Sequence, residues 1–155
     1  MILILYHFTD ISSLIDIINT NIMISTNLLT IELKDYFFKP FISFTRNKNF
    51  IWRGNCRILL NKDLLKYNYK IKPLDFFGKL NNDAKLLYLK NSIIEIDQME
   101  EIVITSKIKN IKKYIISIDF YNLQDIKFDI NILKNIKFDI NKIRLFKDFF
   151  KTKIL

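Results

Sequence analysis

Residues 2–26, ILILYHFTDISSLIDIINTNIMIST, hold a strand, a helix and a second strand in one stretch. Residues 2–6 are a short apolar run that predicts a buried strand. Thr9 or Asp10 can cap the helix. Ile11, Leu14, Ile15 and Ile18 then follow at the spacing of one apolar helix face. Asn19 to Asn21 end it, because Asn tolerates the left-handed backbone common at helix ends. Residues 22–26 read as the second strand.

Working outward, residues 41–45 (FISFT), 56–60 (CRILL), 67–72 (YNYKIK), 101–105 (EIVIT) and 114–120 (YIISIDF) read as further short strands. Residues 61–63 open a turn or short helix, 83–91 suit a helix, and 46–55 and 73–82 read as loops. The Lys-rich stretch KIKNIKK, residues 107–113, reads as a solvated turn. Helices do not alternate regularly with strands, so the expected class is α+β rather than a doubly wound parallel sheet. A six-residue duplication, 126–131 and 136–141, has only two copies and defines no repeat architecture.

The 155 residues fit one domain, residues 1–155, long enough to bury about 70% of the surface exposed on unfolding. Half the residues are apolar and only 2 Gly and 2 Pro occur, which excludes a disordered or collagen-like chain. Cys56 and His7 are the sole residues of their types, which excludes an internal disulfide framework, a Cys-based zinc cluster and a multi-His metal site. A reducing cytosol fits. The net charge of +9 favours nucleic acid, an acidic protein or an anionic cofactor as partner. With 30 Ile and Lys dominating the basic residues, the composition points to A+T-rich coding, so Lys is partly a default choice. The N-terminal MILILYHF lacks a basic region and a small-residue cleavage site, and no apolar run approaches ~20 residues. The expectation is a soluble, cytoplasmic protein without membrane contact.

Three segments place polar groups where an apolar strand meets a loop: Leu5-Tyr6-His7-Phe8-Thr9, Ser43-Phe44-Thr45-Arg46 and Gln98-Met99-Glu100-Glu101. Strand ends hold side chains rigidly yet leave them reachable. Together the segments resemble the ADP-ribosyltransferase-fold family, and are similar to its uncharacterised phage-type members. His7 matches the His or Arg on an early strand, Ser43-Phe44-Thr45 the Ser-x-Ser/Thr strand motif, and Gln98-Met99-Glu100 the Gln/Glu-x-Glu motif. The likeness covers about residues 1–120; residues 121–155 are expected to pack on that core as an extension.

The resemblance implies split mixed and antiparallel sheets with flanking helices, NAD as cofactor, and transfer of ADP-ribose to a protein or nucleic-acid acceptor. A phage-encoded member would act in the host cytoplasm. Breaking the nicotinamide–ribose bond develops oxocarbenium charge on the sugar, as in glycoside cleavage, and a nearby carboxylate stabilises it. Glu100 is the first choice for that carboxylate and Glu101 the second. Strand neighbours point to opposite faces, so only one can face a pocket. By the same resemblance His7 bonds the adenosine-side ribose, with Tyr6 and Thr9 beside it. Ser43 or Thr45 supports the Glu, and Gln98 orients the acceptor. Arg46, Arg53 and Arg57 cluster in a chain with four Arg; Arg46 is the best candidate for the NAD pyrophosphate, since Arg binds phosphate bidentately. Tyr69 and Phe50 are the candidates to stack on nicotinamide. One branch of the family pairs His with two Tyr, another pairs Arg with Ser-x-Ser and Glu-x-Glu. This chain combines His with Ser-x-Thr, which leaves the acceptor open and RNA 2′-phosphotransfer on NAD open with it.

Each motif also has a plain structural explanation. A lone His after an apolar strand is commonly a half-buried polar residue with a backbone partner. Gln-x-Glu is commonly a solvated pair, the Arg cluster a solvated loop, Trp52 a plug under that loop, and Cys56 an inert core thiol. Two other functions compete: a non-catalytic binding or inhibitor protein of phage type on the same fold, and a nucleic-acid-binding module.

Overall fold

The computed structural model describes residues 2–25, 40–46, 48, 55–73, 100–121, 135 and 138–146. Strand β1 spans Ile4–Thr9. It starts later than the apolar run and carries through His7, because its ladder with β4 (Cys56–Asn61) runs unbroken from Ile4↔Asn61 to Thr9↔Cys56. Ladder hydrogen bonds, rather than apolar content, set its end. Asp10 caps helix α1 (Ile11–Thr20): its carboxylate accepts the Ser13 backbone N–H at 2.8 Å and the Ser12 hydroxyl at 2.7 Å. The Ser13 N–H bond is the first cause holding the Asp10 carboxyl below its ordinary pKa. Asn21, at φ 57°, ends the helix in the left-handed region.

The other strands are β2 (Ile22–Ile24), β3 (Ile42–Thr45), β5 (Ile71–Pro73), β6 (Glu100–Val103), β7 (Lys107–Lys109), β8 (Ile115–Tyr121) and β9 (Ile143–Phe146). Helix α2 (Lys62–Lys66) follows β4 directly, capped by the Asn61 side chain on the Leu64 N–H. Seven strands form one sheet in the order β5-β6-β3-β1-β4-β8-β9, antiparallel except for the parallel β8–β9 pair. Strands β2 and β7 form a separate antiparallel ribbon. The chain is α+β.

Pairing registers sort the side chains onto two faces, since neighbours alternate. One face carries Leu5, Ile42, Phe44, Cys56, Ile58, Leu60, Val103, Ile118 and Phe120. These residues join Leu14 and Ile18 of α1, Met23 of β2 and Ile108 of β7 in one buried cluster. The opposite face is partly polar and holds Tyr6, Arg57, Asp119 and Tyr121. Asn21 and Asn110 clip α1 and the ribbon together. Both have positive φ, and the Asn21 side chain and carbonyl accept the Lys112 and Ile111 backbone N–H groups at 3.0 and 3.2 Å.

Three expectations are corrected. Residues 67–72 are not one strand: Tyr67 ends α2 with helical backbone, and the strand begins at Ile71. Pro73 is not in a loop but closes β5 opposite Glu101, at a strand terminus where a missing N–H is tolerated. The stretch 107–113 is not a plain turn: Lys107 and Lys109 are exposed, but Ile108 between them is fully buried, so it forms β7 and a 3₁₀ turn at Ile111–Lys113. The helix expected at 83–91 and most of the duplication lie outside the described residues. Among the described residues no helix is long and apolar enough to cross a membrane.

Leu5 has 0% exposure at the centre of the cluster, so Leu5→Ala is expected to cost about 2–5 kcal/mol. Asp10→Ala, which removes only the cap, is expected to cost about 1 kcal/mol. Urea unfolding of both variants checks the ranking.

Candidate functional site

Of the three polar segments read from the sequence, Leu5–Thr9 lies in β1, Ser43–Thr45 in β3, and Glu100 and Glu101 open β6, and these are neighbouring strands of the sheet. Tyr6 pairs with Thr45, and Thr45 with Glu100, so these residues form one row across three strands. The next row places His7 opposite Phe44 and Phe44 opposite Glu101. His7 and Glu101 therefore share the core face, about 10 Å apart across two strand spacings. Ser43 pairs with Ile102, on the face opposite His7. His7 and Ser43 thus cannot present side chains to the same side of the sheet. Glu100 is in register with Thr45; Gln98, Phe50, Trp52 and Arg53 lie outside the described residues.

His7 is half-buried and lies within the strand rather than at its end. Its Nδ1 is 3.2 Å from the Ser43 carbonyl. A carbonyl only accepts, so Nδ1 carries the proton and the neutral ring keeps Nε2 as an acceptor. The ring tilts against Phe44, with centroids 5.5 Å apart. Burial lowers its pKa, and the Ser43 bond offsets part of that. The partner of His7 is thus the Ser43 backbone, as the plain structural explanation expects, while Nε2 stays open to a donor. Thr9, also on the core face, is buried against Cys56.

Glu101 is 5% exposed. The Lys62 ammonium donates to its Oε1 in a salt bridge whose side chains are both largely buried. Its Oε2 has no hydrogen-bond partner; only Ser117 Oγ, on the opposite face, shares that condition among the described residues. Leaving a carboxylate oxygen buried and unpaired is unfavourable, so Oε2 is an unsatisfied buried acceptor that calls for a donor. Lys62 carries no sequence signal that would have marked it.

On the opposite face lies a charge cluster that the sequence reading missed. Asp119, fully buried, accepts from Arg57 Nε and Nη2 at 3.0 and 2.6 Å, and from Arg144 Nε and Nη2 at 2.7 and 3.0 Å. The Tyr121 hydroxyl donates to it at 3.2 Å. The Arg57 guanidinium also lies over the Tyr6 and Tyr121 rings, 5.2 and 5.1 Å from their centroids. Arg57 is therefore a structural ion-pair partner, which removes it from the cluster read as phosphate-binding. A lone Asp inside the apolar strand YIISIDF was the available signal. Arg46 is exposed just beyond β3.

Tyr69 packs edge-on to Tyr114 at 6.2 Å and its hydroxyl accepts the Lys109 N–H, so it is tied into the fold rather than offered to a ligand. Cys56 is fully buried with its thiol pKa pushed up to about 12, first by burial and then by the Asp10 charge, which makes it inert as expected. Among the described residues no three His, Cys, Asp or Glu side chains gather as a metal site would require. Comparison with protein-family models, with curated proteins and with solved structures gives no match to this chain.

Asp119→Ala leaves two guanidiniums without their carboxylate and is expected to cost about 3–5 kcal/mol in urea unfolding. His7 has a folded pKa below its unfolded value of 6.5, so the unfolded chain binds the extra proton. Its contribution to stability is complete above pH 6.5 and is lost as pH falls through the lowered folded value. A His7→Gln variant should lack that component of the acid slope, which denaturation across pH 4–8 measures.

Proposed function

We propose that the chain is an NAD-dependent ADP-ribosyltransferase. The observation that carries this reading is the adjacency of β1, β3 and β6, which brings His7, Ser43–Thr45 and the acidic pair Glu100–Glu101, up to some ninety residues apart in sequence, onto neighbouring strands. Composition bias could produce each motif alone, but it gives no reason for all three to be neighbours.

In this reading Glu101 is the carboxylate that stabilises developing charge on the ribose, because it shares a row with His7 and its buried Oε2 lacks a protein donor. His7, neutral at ordinary pH with Nε2 as acceptor, takes a hydroxyl of the second ribose. Arg46, exposed at the end of β3, meets the pyrophosphate. Ser43 and Thr45 belong to the other face and shape β3 rather than support the acid. The high positive charge draws in an acidic protein or a nucleic acid as acceptor.

Release of nicotinamide from NAD tests the reading. The wild-type protein is expected to release it, Glu101→Gln to reduce the rate by about 100-fold or more, and Glu100→Gln to leave it nearly intact. The reverse pattern would move the role to Glu100. No release by the wild type, with water, an acidic protein or RNA as acceptor, would turn the reading towards a binding protein on this fold.

A further inference from the structure

We propose that Lys62 is the positioning residue for Glu101, holding Oε1 so that Oε2 is presented to a ribose hydroxyl of NAD; this rests on the transferase reading above. Lys62 is fixed before its side chain begins. It follows the capping Asn61 as the first residue of α2, and its backbone N–H donates to the Leu3 carbonyl at 2.9 Å. The chain is thus anchored just before the start of β1 while the ammonium reaches Glu101, thirty-nine residues later.

Both side chains are largely sheltered, 13% exposed for Lys62 and 7% for Glu101. A carboxylate that stabilises a sugar cation must carry its charge where water is largely excluded, and an ammonium against one oxygen supplies the counter-charge. The residue type matters. Lysine is a compact point charge that engages one oxygen, whereas an arginine fork matches both oxygens of a carboxylate. The fold uses the fork where it needs full saturation, at Asp119, which accepts on both oxygens. At Glu101 it uses lysine, and one buried oxygen stays unpaired. Mere stabilisation would favour the opposite choice, so the open oxygen marks where a ligand donor belongs.

Steady-state nicotinamide release by the full chain tests this. Lys62→Gln is expected to lower kcat by about tenfold or more, the scale of side chains that orient a functional ligand, with KM little changed. Lys62→Arg keeps the charge and the ion pair, yet is expected to lower kcat as well by occupying Oε2, at a melting temperature no lower than that of the wild type. Wild-type kcat in Lys62→Arg would show that the ion pair is only structural and would overturn the inference while leaving the transferase reading in place. Wild-type kcat in Lys62→Gln would do the same. Absence of release by the wild-type protein overturns the transferase reading and this inference with it.

Discussion

The antiparallel ladder between β1 and β4 is the constraint on which the rest depends. It fixes six consecutive residue pairs, and β1 then pairs on its other edge with β3. With this register, Leu5, Ile58 and Leu60 must face the helix and ribbon, and Tyr6 and Arg57 must face away. A slip of one residue would put Arg57 into the apolar cluster and Ile58 among charges. The same pleat decides the chemistry available on each side. It sends His7 and Tyr6, adjacent in sequence, to opposite faces, so no site can use both.

The parts legible in the sequence were the local ones. Helix α1 was legible because a capping Asp10, an apolar stripe and an Asn21 stop lie within a dozen residues. The strands around His7, Ser43 and Cys56 were legible as apolar runs. What escaped was set by distant partners. Strand β7 hides in a lysine-rich stretch because only Ile108 faces inward, and its strand character comes from β2, more than eighty residues earlier. Strand β5 was read with the wrong bounds, because Tyr67 belongs to the end of α2 and Pro73 reads as a loop residue although the ladder to β6 accommodates it. At the candidate site the sequence supplied His7 and the acidic pair, while the pairing register alone distinguished Glu101 from Glu100. Lys62 was invisible, since nothing near it in sequence announces a partner on β6.

Charge has two separate uses here. The two lysines of β7 are exposed and add positive charge to the surface. Two of the four arginines are committed to Asp119, on the face away from the apolar cluster. That commitment follows from burial: a carboxylate with no solvent access requires several charge-assisted donors to stay in place. The arginines available for an anionic ligand are correspondingly fewer than the composition suggests.

The parallel strand β9 brings a consequence for how the molecule is made. Arg57 precedes Asp119 in the chain, but Arg144 follows it by 25 residues. One guanidinium already balances the Asp119 charge, so β8 can settle on β4 before β9 docks, and Arg144 Nε then supplies a donor for Oδ1. The edge strand is thus fastened twice, by its ladder to β8 and by a guanidinium on the carboxylate beneath it, and a chain lacking β9 would leave that oxygen short of a donor.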